Sequence, residues 1–250
     1  MFRPEDSDML RDALVAAARA DERITSAALT GSAAVGAADR WSDVDLALGV
    51  AGTADYGRVV ADWTERMYRA HGAVHHLDVF LETTLYRVFL LANTLQVDLA
   101  FWPEAEFGAI APTFKLLFGT ASERPLRPAP DAAELIGLGW LYALHVRSSV
   151  ARGRVWQAEY MLSAARDQVL ALACLRHGLP AVEGRGIDDL PPEATAVVAG
   201  ALVRSLETVE LKRAFGVVGE ALLVEVERVD AMLAETLAAP LRELVRSTPG

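Results

Sequence analysis

The pattern of hydrophobic residues changes once along this chain, at a proline-rich segment. Residues 122–130, SERPLRPAP, contain three prolines, a composition typical of a linker or a domain boundary. Apolar runs of strand length alternate with helical stretches before it, whereas only helical periodicity follows it. The sequence therefore predicts an α+β fold, with a mixed-sheet domain over residues 1–124 and an all-helical bundle domain over residues 125–250.

The predicted elements of the first half are short and mixed in type. Strands are expected over residues 24–30, 44–50, 76–81, 86–92 and 95–101, and helices over 7–20, 33–38 and 55–71. Only Asn93 and Thr94 separate the last two strands, a hairpin spacing that predicts antiparallel neighbours. In the second half, helices are expected over residues 131–152, 157–177, 193–215 and 220–246.

The charge and the cysteine content exclude several classes of protein. Acidic residues outnumber basic ones by 34 to 24, which disfavours nucleic acid as a partner and is compatible with a cationic small molecule. The single cysteine, Cys174, excludes a disulfide framework and fits a reducing compartment. Apolar runs are too short to span a membrane and the first residues do not resemble a signal peptide, so we expect a cytoplasmic protein.

The most informative stretch is residues 31–46, GSAAVGAADRWSDVDL, between the first two predicted strands. Asp43 and Asp45 are two positions apart, so their carboxylates project from one face of a strand. Hard oxygen ligands of this kind suit magnesium. Gly31 and Ser32 end the preceding strand, where backbone N–H groups and a hydroxyl can hold a phosphate. The stretch therefore indicates a site for a nucleoside triphosphate.

A third carboxylate is expected from a later strand. Asp98 lies in an apolar run, LQVDLAF, where an isolated charge is costly and needs a metal or a cation nearby. Asp78, in HLDVFL, has the same surroundings in sequence and is the alternative. If the strand of Asp98 lies beside that of Asp43 and Asp45, the three carboxylates can hold two metal ions for an in-line displacement.

The motif GSAAVGAADRWSDVDL, with VDLAF downstream, resembles the nucleotidyltransferase superfamily of DNA polymerase beta type. A small catalytic domain followed by a helical domain is similar to its aminoglycoside and lincosamide nucleotidyltransferases. The resemblance implies that Gly31 and Ser32 contact the triphosphate, and that Asp43, Asp45 and Asp98 bind two Mg²⁺ ions. It further implies transfer of a nucleoside monophosphate, with ATP as the expected donor, to a hydroxyl of an antibiotic-like acceptor.

The chain departs from this family in one respect. Many small members carry an arginine a few residues after the Gly-Ser pair, whereas this chain has alanines and its first basic residue there is Arg40. The phosphate charge must be balanced elsewhere, and the helical half offers four candidate arginines: Arg147, Arg152, Arg154 and Arg166. Glu159 lies two helical turns before Arg166, so both occupy one face of the helix. In some antibiotic-modifying members a glutamate of the helical domain serves as general base, and the resemblance therefore makes Glu159 our candidate for that role, ahead of Glu134.

Other functions remain open at the level of the sequence. A nucleotidyltransferase that modifies a partner protein, as antitoxin members of the superfamily do, would carry the same motif. So would a catalytically silent nucleotide-binding module. The abundant apolar helical surface is compatible with a homodimer.

Overall fold

The computed structural model describes residues 2–250, which form two compact units that meet in sequence at Arg127 and Pro128. The first unit contains helices and a sheet: α1 (Pro4–Ala20), β1 (Ile24–Thr30), α2 (Gly31–Ala34), β2 (Val44–Val50), α3 (Tyr56–Ala70), β3 (Ala73–Leu81), β4 (Thr84–Leu91), β5 (Gln96–Pro103) and β6 (Phe114–Phe118). The second contains helices α4 (Ala132–Ala151), α5 (Val155–Arg176), α6 (Pro192–Ala199), α7 (Thr208–Val229) and α8 (Ala231–Ser247). The predicted α+β class with a helical C-terminal region is confirmed.

The six strands form one mixed sheet in the order β3-β4-β5-β2-β1-β6. Strands β2 and β5 are parallel and every other neighbouring pair is antiparallel. The predicted hairpin of β4 and β5 is present. In the parallel pair Asp45 lies opposite Asp98, so the register itself brings carboxylates of two distant segments together.

The two faces of this sheet are built differently. On one face, which we call the helix face, Leu46, Leu48 and Leu99 pack against α1 and α3, with Trp63 of α3 fully buried. On the opposite face, which we call the open face, Ala47 and Ala100 belong to a smaller apolar cluster that also contains Trp102 of β5 and Phe107. Because side chains alternate along a strand, Asp45 and Asp98, each next to a leucine of the helix face, belong to the open face.

Several element boundaries differ from the prediction. Helix α1 begins at Pro4 rather than residue 7, because the backbone N–H of Arg3 donates to Asp6 (2.8 Å) and closes the first turn. The short helix expected over residues 33–38 is a single turn, Gly31–Ala34. Strand β6 was not predicted from sequence. It is a short strand that pairs only with β1, at one edge of the sheet.

The second unit has one continuous hydrophobic core, to which α4, α5, α7 and α8 all contribute. Glu225 of α7 is buried beside it and accepts hydrogen bonds from Arg176 (3.0 and 3.1 Å) and Arg228 (2.5 Å). A buried carboxylate needs such partners, since an unpaired charge there would strongly destabilise the fold. Across residues 2–250, the structure contains no helix with the length and hydrophobicity needed to cross a membrane.

The helices after residue 190 were predicted with wrong boundaries. The expected helix over 193–215 is interrupted between α6 and α7. Arg213 donates to the carbonyl of Gly200 (2.6 Å) and so stabilises the non-helical segment between these two helices. The expected break at 216–219 does not exist. There, Gly216 and Gly219 lie inside α7 and let Val245 of α8 approach closely. The expected helix over 220–246 is divided because Asp230 accepts from the backbone of Leu233 and caps α8.

Candidate metal and nucleotide site

Three carboxylates from adjacent strands converge on the open face of the sheet. Asp43 immediately precedes β2, Asp45 is its second residue, and Asp98 is the third residue of β5. One carboxylate oxygen from each lies within 4.8 Å of the other two, and all three side chains are partly buried. This spacing allows the oxygens to share a cation, and an all-oxygen donor set suits Mg²⁺.

The electrostatics of the cluster also favour a cation. Burial raises the pKa of Asp98 to about 6, a hydrogen bond from Gln96 opposes the rise, and the charge of Asp43 adds to it. The Gln96 amide nitrogen donates to Asp98 Oδ1 (3.0 Å) and to Asp43 Oδ2 (3.3 Å), and so bridges the two carboxylates. Ionised carboxylates only accept hydrogen bonds, so the amide nitrogen must face them. A bound cation would compensate the remaining repulsion.

Gly31 lets the chain pass directly over Asp45. Its φ is +61°, a conformation that glycine adopts without strain, and a Cβ atom built there would overlap the Asp45 carboxylate. A side chain at position 31 would therefore displace one of the three carboxylates. The glycine at the end of β1 and the acid in β2 form one structural unit, although 14 positions separate them in sequence.

Ser32 is tied to the segment that leads into Asp43. Its hydroxyl donates to Ser42 Oγ (3.1 Å), and Ser42 Oγ in turn donates to Asp39 Oδ1 (3.1 Å). The backbone N–H of Trp41 also donates to Asp39 (2.8 Å), and these bonds hold the pKa of Asp39 below its usual range. These hydrogen bonds stabilise the non-helical segment that connects α2 to Asp43.

A cavity of about 210 Å³ adjoins Asp43 and Asp45, lined by α1, Ala33 and the segment before β2. Two arginines lie on its wall. Arg11 of α1 pairs with Asp8 (2.9 Å), whereas the guanidinium of Arg40 stacks on the Trp41 ring at 4.3 Å. The first unit thus places two guanidinium groups beside the carboxylates, although no arginine lies within the first seven residues after the Gly31–Ser32 pair.

Asp78, the alternative third carboxylate, lies elsewhere. It is on the edge strand β3, opposite Arg87 of β4, and accepts two hydrogen bonds of 2.6 Å from that guanidinium. Arg87 also donates to Thr64 of α3, which places this ion pair on the helix face. Asp78 is therefore satisfied by an arginine and faces away from Asp43, Asp45 and Asp98.

The candidates of the second unit lie together on α5. Ser163 donates to Glu159 (3.4 Å) and accepts from Arg166 (2.5 Å), so the hydroxyl links the two charged side chains along one face of the helix. Glu134 is exposed in the first turn of α4. Within residues 2–250, no ion pair involves the four candidate arginines of this unit, Arg147, Arg152, Arg154 and Arg166. The buried Nε of Arg147 has no hydrogen-bond partner.

Reasoning from sequence missed two residues of the site. Gln96 precedes Asp98 by two positions in the same strand, so the alternation of side chains could have placed it on the same face. Arg11 had no such signal, because its position depends on how α1 packs against the sheet.

Comparisons with known proteins add little to this geometry. No protein-family model matches the sequence, and no curated protein matches it either. Among solved structures, an aminoglycoside 6-adenyltransferase from Bacillus subtilis aligns with 96% of this chain and 98% of its own. The sequence identity is 14% and the TM-score is 0.37, so this likeness carries no conclusion about activity.

Proposed function

We propose that this protein transfers a nucleoside monophosphate from a nucleoside triphosphate to a hydroxyl group of a small molecule and releases pyrophosphate. The observation that carries the proposal is the cluster of Asp43, Asp45 and Asp98 on two parallel neighbouring strands. Its oxygens lie close enough to share metal ions, and the Gly31–Ser32 turn borders it. Nucleotidyl transfer needs this combination of charge neutralisation and phosphate positioning.

The residues present fit divalent metal ions. The donors are all carboxylate oxygens that lie within 4.8 Å of one another. Burial and the charge of Asp43 both raise the pKa of Asp98, and the glycine at position 31 leaves the Asp45 carboxylate in place. Asp43 and Asp45 would hold two Mg²⁺ ions, and Asp98 would complete the shell of one of them. When bound, the ions neutralise the phosphates and stabilise the oxygens that attack and leave.

The balance of the reaction assigns roles to the chain's own residues. The acceptor oxygen forms a bond to the α-phosphorus, the bond between this phosphorus and the bridging oxygen breaks, and pyrophosphate leaves. Asp98 is suited to orient the acceptor hydroxyl or receive its proton, because one of its carboxylate oxygens lies within 4.8 Å of those of Asp43 and Asp45, where the reacting phosphate would be held. Gln96 keeps the Asp98 carboxylate in place.

Positive charge for the triphosphate is proposed to come from Arg11 and Arg40, which line the cavity next to Asp43 and Asp45. The backbone of Gly31 and the hydroxyl of Ser32 would contact the phosphates from the turn that follows β1, next to Ala33 in the lining of the same cavity. Glu159 as general base and Arg166 as a phosphate ligand belong to the second unit, and their roles stay predictions. ATP as the donor and an antibiotic-like acceptor likewise remain part of the proposal.

A labelled-nucleotide assay tests this function. The protein is incubated with Mg²⁺, each α-labelled nucleoside triphosphate in turn, and a panel of aminoglycosides and lincosamides, and both label transfer and pyrophosphate are measured. Asp43→Asn and Asp45→Asn should each lower the rate by about 10³-fold, because a lost metal ligand removes several kcal/mol of transition-state stabilisation.

Asp78→Asn serves as the matched control, since it removes a strand aspartate from the opposite face of the same sheet. It should retain activity once its folding has been verified by circular dichroism. Full activity in both Asp43→Asn and Asp45→Asn would refute the proposal. Binding of triphosphate without pyrophosphate release, over the whole panel, would instead indicate a silent nucleotide-binding module.

A further inference from the structure

A shallow groove continues from the carboxylate cluster across the sheet. The strand register defines a row of directly opposed residues: Asp45 on β2, Asp98 on β5, Val88 on β4 and Leu77 on β3. Opposed residues share a face, and neighbouring strands lie about 4.8 Å apart. Leu77 is thus roughly 10 Å from Asp98 along the same face of the sheet.

The groove is apolar and open to solvent. It has a volume of about 240 Å³, and we call it the β3–β4 groove. The residues of the open face that line it are His75, Leu77, Val88, Leu90 and Gln96, and His76 and Phe89 complete its lining. Leu77 is 61% exposed and Leu90 is 50% exposed. Exposed apolar surface next to a reactive centre often marks a ligand site. Gln96 belongs both to the groove and to the carboxylate cluster, so the two are continuous.

The position of the groove matches the direction from which an acceptor must approach. The Gly31–Ser32 turn lies at the end of β1, on one side of β2, whereas the groove begins at β5, on the other side. In an in-line displacement the attacking oxygen and the leaving oxygen lie on opposite sides of the phosphorus. With the phosphates on the β1 side, the acceptor hydroxyl comes from the β4 side, past Asp98.

The chemistry of the lining restricts the acceptor. Among the described residues that form the groove none carries a carboxylate, and burial lowers the pKa of the adjoining His76, whose Nδ1 lies 2.8 Å from the Tyr68 hydroxyl. Beyond the carboxylates at its β5 end, the groove offers a molecule with several ammonium groups no counter-charge, although the chain as a whole is acidic. Leucine and valine side chains favour a ligand with an apolar face.

We propose that the β3–β4 groove is the acceptor subsite, and that it takes a hydroxyl compound with an apolar face rather than a polycation. The inference rests on the proposed nucleotidyl transfer, and within it distinguishes the lincosamide type of acceptor from the aminoglycoside type. The hydroxyl lies at Asp98, and the apolar part of the molecule extends over Val88 towards Leu77.

The test uses lincomycin, which combines a hydroxylated sugar with an alkyl-substituted ring, and kanamycin, which carries several ammonium groups. Both are titrated calorimetrically into the full chain with Mg²⁺ and the non-reactive α,β-methylene analogue of ATP, and both are assayed as acceptors with ATP. Leu77→Asn and Leu90→Asn are compared with Leu116→Asn, a matched change at an exposed leucine of β6 on the other edge of the sheet.

We expect lincomycin to bind and kanamycin not to bind in the groove. Leu77→Asn and Leu90→Asn should weaken lincomycin binding and raise its KM about 10-fold, with the KM for ATP unchanged, since each removes apolar contact only. Leu116→Asn should have no effect. Because all three leucines are exposed, the variants should fold normally.

Two different failures are distinguishable. In the first, pyrophosphate is released, but Leu77→Asn and Leu90→Asn do not change the binding of the acceptor, or the release requires kanamycin. Either result would overturn the groove as acceptor subsite and leave the proposed function standing. Absence of both pyrophosphate release and binding of the ATP analogue would refute the proposed function and this inference with it.

Discussion

The two faces of the sheet use the same strands for opposite purposes. On β2, Leu46 and Leu48 are completely buried on the helix face, whereas Asp45 and Ala47, the alternate residues, belong to the open face. The helix face consists of large aliphatic and aromatic side chains packed under α1 and α3. The open face combines three carboxylates, the β3–β4 groove and a smaller apolar cluster in which alanines pack with Trp102 and Phe107.

This difference shows how a short sequence can serve stability and chemistry together. Because side chains alternate along a strand, neighbouring residues point to opposite sides of the sheet, and a carboxylate of the candidate site lies next to a residue of the hydrophobic core. Packing on the helix face fixes the strands, and the strands in turn fix the spacing of the carboxylates. Substitutions on the helix face should therefore affect folding, and those on the open face should affect the site.

The largest effect on stability is expected on the helix face. Leu46→Ala should lower the free energy of unfolding by about 3 kcal/mol, because Leu46 is completely buried and its loss leaves a cavity. Urea denaturation followed by circular dichroism measures this. Leu116→Ala, at an exposed leucine of β6, should cost less than about 1 kcal/mol. Equal losses for the two variants would show that the faces do not differ as described.

Replacing Gly31, which lies over Asp45, should distinguish the effect of backbone strain from the effect of displacing a carboxylate of the site. Gly31→Ala should lower activity about 10- to 100-fold, because the new methyl group displaces the Asp45 carboxylate, and it should also cost about 1–2 kcal/mol of stability. Gly36→Ala is the matched control, since Gly36 also has a positive φ (71°) and no atom lies near its Cβ position. It should lose stability but keep activity. A similar loss of activity in both variants would attribute the effect to backbone strain alone.

The smallest expected effect is on the free energy of unfolding, which should change in opposite directions when an aspartate is replaced on the open face and on the helix face. The folded chain raises the pKa of Asp98 to about 6 from an ordinary 3.8, so at pH 7 without metal it must hold a charge that its site disfavours. Asp98→Asn should therefore stabilise the metal-free protein by about 1 kcal/mol at pH 7, less than the full shift implies because water still reaches the carboxylate. The gain should disappear below pH 3.8, where Asp98 is protonated in both states.

Asp78→Asn should do the reverse. The Arg87 guanidinium lowers the pKa of Asp78, so the ionised pair contributes stability above the ordinary pKa and loses it as the pH falls through the folded value. The substitution should destabilise the protein at pH 7. Thermal unfolding in the presence of EDTA, from pH 3 to pH 8, measures both variants. The same sign for both at pH 7 would contradict the contrast between the faces.

Much of the first unit could be predicted from local patterns. Strands β1 and β2 have the predicted bounds, because their apolar runs end at clear turn residues. The approach of Asp45 to Asp98 was predicted only on the condition that their strands are neighbours. The parallel pairing of β2 with β5 meets that condition, and no local signal encodes it.

The helical unit was harder to predict for a specific reason. Glycines usually indicate the end of a helix, yet Gly216 and Gly219 lie within α7 because small residues let α8 pack closely at Val245. Conversely, Asp230 ends one helix and caps the next through a single side-chain hydrogen bond. Tertiary packing therefore continues the helix where a break was predicted, and local capping breaks it where a continuous helix was predicted.

The sequence by itself determined the local pattern of the candidate site: a Gly-Ser turn and carboxylates two residues apart, which alternation places on one face of a strand. Only the tertiary structure decided that Asp98 rather than Asp78 joins them, that Arg11 and Gln96 lie beside them, and that the groove at Leu77 continues their row. The physical reason is that side-chain alternation is local, whereas strand order and register depend on packing between distant segments.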